Sequence, residues 1–124
     1  MARQRERQPL RAGAGAVNEL VAKARAGDLN GFTAALGALI GVEPAVSARI
    51  VSDKGGEPLA IACKAIGADR AQFTTIFLQI DYQRFGKARP ASHIQAVSKT
   101  YDLLPQASAQ ATVSLWNAQP ALAA

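Results

Sequence analysis

The stretch from Asp53 to Phe85 constrains the fold of this chain more than any other. It reads DKGGEPLAIACKAIGADRAQFTTIFLQIDYQRF, and each of its two glycine turns, at 53–56 and 67–69, precedes helix-forming residues. The first predicted helix, from Glu57 to Ile66, starts with acidic Glu57, and from Leu59 onwards it is apolar on every side except at Lys64. A helix without a polar face has to be buried. The stretch therefore predicts a helix enclosed by other helices.

A second predicted helix, from about Arg70 to Phe85, follows the second turn, with Asp69 placed to cap it. Two rows of apolar residues run along this helix at i, i+4, i+7 spacing: Phe73, Phe77 and Ile80 form one, and Leu78, Tyr82 and Phe85 form the other. Two such rows predict packing against more than one neighbour, so the helix is expected to be central to the core. The helical spacing of its aromatic residues favours packing over a cofactor or base-stacking role.

The remainder of the chain favours an all-α fold. Hydrophobic residues make up 49% of the sequence, and β-branched residues nowhere alternate with polar ones over the length of a strand. Further helices are predicted at about 16–26, 29–39, 44–52, 93–104 and 106–119, with Ser92 as the cap of the sixth. We therefore predict six to seven short helices, packed as a small HEAT-like or orthogonal bundle in a single domain.

A weak internal repeat is present in the middle of the sequence. The segment 38–51 resembles the segment 64–77, and the positions that coincide are Ile40 with Ile66, Gly41 with Gly67, Ala45 with Ala71 and Ile50 with Ile76. Repeated helix pairs of this kind predict a small α-solenoid. The alternative is an orthogonal bundle without repeats.

The positive charge is concentrated at the N-terminus. Four arginines stand against one glutamate in the first 11 residues, while the remainder carries 10 basic and 8 acidic residues. We expect residues 1–14 to form a disordered basic tail, residues 15–119 to form the helical domain, and residues 120–124 to fray. The candidates for contact with nucleic acid or another anionic surface are Arg3, Arg5, Arg7, Arg11, Lys87 and Arg89. The alternative for the tail is a solubilising role.

The sequence offers little that suits catalysis. Cys63, the only cysteine, lies in the most apolar helix and is predicted to be a small core residue. His93, the only histidine, excludes a site with several histidines, and phosphotransfer on it is the weakest alternative. No triad, paired carboxylates or phosphate-binding loop is recognisable, so we predict no enzyme, cofactor, metal or small-molecule substrate. No apolar run approaches the length of a membrane span, and a cytoplasmic protein is expected.

The glycine turns and several core positions together resemble the C-terminal part of DUF2336, an uncharacterised bacterial family. The residues that carry the resemblance lie between positions 27 and 116: Gly27-Asp28-Leu29, Phe32, Gly41-Val42, Asp53 to Glu57, Leu59-Ala60, Cys63-Lys64-Ala65, Phe73, Tyr101 and Trp116. The resemblance implies an all-helical, HEAT-like fold. It implies no established activity and no catalytic residues.

These observations favour a non-catalytic, regulatory interaction module that binds another protein or itself. Apolar surface at the ends of a short helical stack would favour docking or homodimer formation. The alternative is binding of nucleic acid or an anionic surface through the arginine-rich tail with Lys87 and Arg89.

Overall fold

Seven helices make up the described part of the chain, which in this computed structural model comprises residues 13–86 and 90–118. In chain order they are α1 (Ala14–Ala26), α2 (Leu29–Ile40), α3 (Pro44–Ser52), α4 (Glu57–Ala65), α5 (Arg70–Phe85), α6 (Ala91–Leu103) and α7 (Gln106–Ala118). No strand occurs in these residues, which confirms the predicted all-α class. The first twelve residues, where most of the predicted tail falls, and the predicted frayed end at 120–124 lie outside the described residues.

Side-chain caps fix the start of two helices where the sequence predicts them. The carboxylate of Asp28 accepts a hydrogen bond from the Gly31 N–H at 2.9 Å, at the start of α2. At the start of α5, Asp69 accepts from the Gln72 N–H at 2.7 Å, and the Gln72 side chain accepts in return from the Asp69 N–H at 2.9 Å. This reciprocal pair satisfies backbone donors that the helix itself leaves unbonded.

The sixth helix begins earlier than predicted. Its first residue is Ala91 and its N-cap is Pro90, so Ser92 lies inside the first turn. The prediction that Ser92 caps this helix is therefore wrong. Proline suits this end of a helix, because the backbone groups before the first turn do not need its missing N–H.

Helix α4 lies at the centre of the core. Five of its residues and its C-cap, Ile66, are buried; the five are Leu59, Ala60, Ala62, Cys63 and Ala65. Helix α7 packs along it, and α2, α3 and α5 also contact it. The predictions that this helix is enclosed and that Cys63 is a core residue are confirmed.

Helix α5 buries only one of its two apolar rows. Phe73, Phe77 and Ile80 are buried, whereas the second row is exposed, with Leu78 at 36%, Tyr82 at 56% and Phe85 at 38%. The prediction that this helix packs against more than one neighbour is confirmed, although its second row is not buried. At 3.6 residues per turn the second row lies about 140° around the helix from the first. The neighbours α1, α4 and α6 pack against α5, but none of them covers that far side completely.

Small residues let α2 and α3 approach closely across a sharp turn. The two helices are bent by 117° relative to each other. A side chain added at Gly37 would place its Cβ 3.0 Å from Cβ of Ser47, so only glycine fits without displacement. Ser47, itself buried, donates its hydroxyl to the carbonyl of Thr33 at 2.6 Å. The contact therefore buries a polar group only together with its hydrogen-bond partner.

Four helices have a carbonyl in their last turn that is bonded by a side chain from a distant part of the chain. The bonds are Gln83 to the Ala24 carbonyl at 3.3 Å, Asn117 to Ile40 at 2.9 Å, Gln110 to Ala65 at 3.2 Å and Lys64 to Tyr101 at 3.2 Å. The last four carbonyls of a helix have no partner within the helix. Each of these bonds thus joins the end of one helix to the side of another.

The positions of the weak repeat have matching environments. The isoleucines at 40, 66, 50 and 76 are all buried, the alanines at 45 and 71 are both exposed, and the glycines at 41 and 67 both have positive φ. The most extensive long-range packing, however, joins α1 to α5 and α4 to α7, which are far apart in sequence. The HEAT-like arrangement stays a prediction.

Gly56 fixes the distance between the start of α4 and the side of α5. Its φ is +77°, in the left-handed region, and a Cβ built on it would lie 2.5 Å from the Phe77 ring. A side chain at this position would therefore be strained by the backbone and would also collide with a buried aromatic ring.

We expect Gly56→Ala to lower the free energy of unfolding by about 3 kcal/mol, because it combines left-handed strain with overpacking against Phe77. Gly86 provides the control, since its φ is +74° but a Cβ there meets nothing within 4 Å. Gly86→Ala should cost only the backbone strain, about 1 kcal/mol. Urea unfolding of both variants measures the difference, and equal losses would show that the Phe77 contact contributes nothing.

Candidate functional site

An apolar groove of about 480 Å³ lies between α4 and α6, and we call it the α4–α6 groove. The wall formed by α4 and the turn before it consists of Gly55, Gly56, Glu57, Ala60 and Ile61. The wall formed by α6 and the residues after it consists of Ala96, Val97, Thr100, Tyr101, Leu103, Leu104 and Pro105. Most of this lining is aliphatic, so the groove presents apolar surface with few polar groups.

The α4 wall is positioned by the glycine turn. The Asp53 carboxylate accepts a hydrogen bond from the Gly55 N–H at 2.9 Å, and the Asp53 carbonyl accepts from the Gly56 N–H at 3.2 Å. The turn places Gly56 against Phe77 and leaves Glu57 exposed in the first turn of α4. A carboxylate is favourable there, because the N-terminal end of a helix carries a partial positive charge.

The α6 wall is positioned by Tyr101, whose side chain is only 1% exposed. Its ring stacks on Phe73 with centroids 4.3 Å apart and planes 4° from parallel. Its hydroxyl donates to the Ala68 carbonyl at 2.6 Å. A second contact, 2.9 Å between the hydroxyls of Thr74 and Ser98, joins α5 to α6. Tyr101 therefore anchors α6 to α5 and to the turn between α4 and α5.

Lys64 bridges the two walls of the groove. Its ammonium group donates to the Tyr101 carbonyl at 3.2 Å and lies 4.6 Å from the centroid of the Tyr101 ring. The first contact is a hydrogen bond to a helix-end carbonyl and the second is a cation–π contact. The single basic residue of α4 thus has a structural role, which the sequence pattern did not indicate.

Two buried titratable side chains near the groove, Cys63 and Tyr101, are held in their neutral forms. Burial raises the pKa of the Cys63 thiol to about 12. Burial, reinforced by the nearby Cys63, Asp69 and Asp102, raises the pKa of the Tyr101 hydroxyl well above its ordinary value. At neutral pH these two groups therefore act as packing groups, and Tyr101 acts also as a hydrogen-bond donor.

The six basic residues predicted to contact anions, namely Arg3, Arg5, Arg7, Arg11, Lys87 and Arg89, lie outside the described residues. His93 lies in the first turn of α6, half-buried, with its ring centroid 6.2 Å from that of Phe77. Asp102 forms an exposed ion pair with Arg70 at 3.2 Å. His93 and Asp102 do not line the groove.

Across 13–86 and 90–118, no three His, Cys, Asp or Glu side chains come together as metal ligands would. No single helix in this part of the chain combines the length and the hydropathy needed to cross a membrane. Helices α2 and α3 reach the required length and hydropathy only as a pair, and they are bent by 117° where they meet.

The groove itself was not predicted from the sequence. The spacing of Ile94, Val97, Tyr101 and Leu104 predicts the inward face of the sixth helix. Val97 and Leu104 are nevertheless only half-buried, and both line the groove. Leu103, next to this row, is 74% exposed. The available signal was the Leu103–Leu104 pair, which gives α6 more apolar surface than one helix neighbour can cover.

Comparison with known proteins identifies one family. A family model described as an uncharacterised protein conserved in bacteria, DUF2336, matches residues 2–114. The match covers most of the chain, so the chain belongs to this family, as its resemblance indicated. No curated protein and no solved structure matches the chain.

We expect Tyr101→Phe to lower the free energy of unfolding by about 1–2 kcal/mol, because the Ala68 carbonyl loses a buried hydrogen bond while the ring stacking is kept. Tyr82→Phe is the matched control, since Tyr82 is 56% exposed. This substitution should change the free energy of unfolding by less than about 0.5 kcal/mol. Chemical denaturation measures both. A Tyr101→Phe variant as stable as the wild type would show that the hydroxyl does not anchor α6.

Stability should fall at alkaline pH. Cys63 and Tyr101 keep their protons in the folded state at pH values where the unfolded chain loses them, so their contribution is complete below about pH 9 and is lost as the pH rises from 9 towards 12. Each group adds a slope of up to about 1.4 kcal/mol per pH unit. Cys63→Ala should therefore reduce the slope of the free energy of unfolding against pH, measured by urea unfolding at a series of pH values. An unchanged slope would contradict the raised pKa of Cys63.

Proposed function

We propose that this DUF2336 protein is a non-catalytic docking module that binds a protein segment, from another protein or from a second copy, in the α4–α6 groove. The observation that carries the proposal is the groove's apolar lining together with Leu103, which stands 74% exposed at its edge. Apolar surface in contact with water costs about 25 cal/mol per Å², and covering it would favour association.

The shape of the groove favours a protein segment over a small molecule. Sites for small molecules are enclosed and bury most of the ligand's surface. Half of the residues that line this groove are exposed, so the groove is open to solvent along its length. Its polar side chains are Glu57, Thr100 and Tyr101, and the Tyr101 hydroxyl already donates to the Ala68 carbonyl. An amphipathic helix laid between two helices is the common way to fill such a groove.

The walls of the groove are fixed in advance, which favours binding. Tyr101 is held by stacking and by two hydrogen bonds, one from its hydroxyl and one to its carbonyl from Lys64. Gly56 is held against Phe77. A site that does not need to be ordered on binding retains more of its interaction energy. We further propose that docking takes place in the cytoplasm, where the free thiol of Cys63 stays reduced.

Blocking the groove tests this proposal. Thr100 lines the groove and is exposed, so Thr100→Arg should fill it with a long charged side chain without disturbing the core. Ser114→Arg, on the exposed side of α7, adds the same side chain away from the groove. In affinity capture from nuclease-treated bacterial lysate, the wild type and Ser114→Arg should retain the same protein. Thr100→Arg should retain at least about tenfold less of that protein.

Two results would contradict the proposal. Equal capture by Thr100→Arg and Ser114→Arg would show that the groove is not the docking surface. Loss of all capture on nuclease treatment, or on deletion of residues 1–11, would move the function to the arginine-rich tail. Circular dichroism of each variant establishes that the helices are intact.

A further inference from the structure

The charges beside the α4–α6 groove have opposite signs on its two walls. Glu57 is the acidic residue of the α4 wall. Lys99 lies on α6 three residues after Ala96 and four before Leu103, both of which line the groove, so it shares their side of the helix. Lys99 and Glu57 are both exposed. One wall is thus acidic at its edge and the other is basic.

From this arrangement we infer that the groove of one molecule binds the same groove of a second copy, forming a two-fold homodimer. The inference rests on the proposed docking function and names the partner. A two-fold axis parallel to the long axis of the groove turns the α4 wall of one copy over the α6 wall of the other. Glu57 of each copy then faces the partner's Lys99, so the charge pairing occurs twice.

The apolar surface of the groove is self-complementary under the same rotation. Leu103 stands on the α6 wall and is 74% exposed, while Ala60 and Ile61 form the apolar part of the α4 wall. Face-to-face pairing brings Leu103 of each copy over the α4 wall of the other. The rotation thus covers the most exposed large apolar side chain of the described residues and pairs the two edge charges at once.

The charges next to the groove do not disturb this pattern. Asp53 and Lys54, in the turn before α4, have opposite signs and adjoin each other. Asp102, three residues after Lys99, is already paired with Arg70 at 3.2 Å. Glu57 and Lys99 therefore set the signs of the two edges. Charges at the edge of an interface select the orientation of the partners and suppress wrong pairings.

Charge reversal provides a direct test. Sedimentation of the full chain from micromolar to millimolar concentration should show a monomer–dimer equilibrium in the wild type. Glu57→Lys or Lys99→Glu alone places like charges together at two points of the interface, and each should raise the dimer dissociation constant about tenfold. The double variant Glu57→Lys with Lys99→Glu restores opposite charges and should restore dimer formation at low salt.

Matched variants separate the groove from the rest of the surface. Leu103→Ser should weaken the dimer, whereas Leu115→Ser, which removes a leucine that is 62% exposed outside the groove, should not. Arg49→Glu reverses an exposed charge on α3, outside the groove, and should leave the dimer unchanged. Thermal unfolding of each variant shows whether the monomer is intact. The low-salt rescue by the double variant cannot be produced by misfolding.

The outcomes distinguish this inference from the proposed function. A chain that stays monomeric at millimolar concentration overturns the dimer, and the proposed function then depends on whether Thr100→Arg abolishes capture of another protein. A dimer that survives both single charge reversals and Leu103→Ser also overturns the inference, because the contact then lies elsewhere. If Thr100→Arg abolishes the dimer and the charge-swapped double variant restores it, both the groove as docking surface and the homodimer are supported.

Discussion

The contact between Gly56 and the Phe77 ring is the constraint on which the rest of the arrangement depends. It sets how closely the start of α4 approaches α5, and only glycine can occupy the position in a left-handed conformation against a buried ring. Because α4 is enclosed by α2, α3, α5 and α7, its placement determines where those helices pack. A short turn between two helices thus controls the geometry of the whole core.

Helix α6 is anchored to α5 by an aromatic stack and a hydroxyl contact, and Lys64 links it to α4. Tyr101 stacks on Phe73 and donates to Ala68, which draws α6 against the fifth helix. Towards α4, the Lys64 ammonium group donates a hydrogen bond to the Tyr101 carbonyl. The groove lies between these two helices, and half of the residues that line it are exposed.

Helix positions followed from the sequence because their signals are local. The bounds of α3 and α5 agree with the prediction, since Pro44 and the Asp69–Gln72 pair fix the starts of helices whatever surrounds them. The exposure of Tyr82 and the groove beside Leu103 did not follow, because both depend on which neighbour covers a helix face. Apolar periodicity gives the direction of a face, and only the tertiary arrangement gives its partner.

The side-chain bonds that satisfy distant helix ends have a consequence for folding. The end of α2 is completed by Asn117 and the end of α1 by Gln83, 77 and 59 residues away from the carbonyls they bond. These two bonds form only when a late part of the chain has docked, so this part of the helix ends is completed together with the tertiary contacts. Contacts between such distant residues raise the contact order and slow folding relative to other small helical proteins. The chain should fold as one cooperative unit, and an early segment released from synthesis should stay only partly helical until α7 is made.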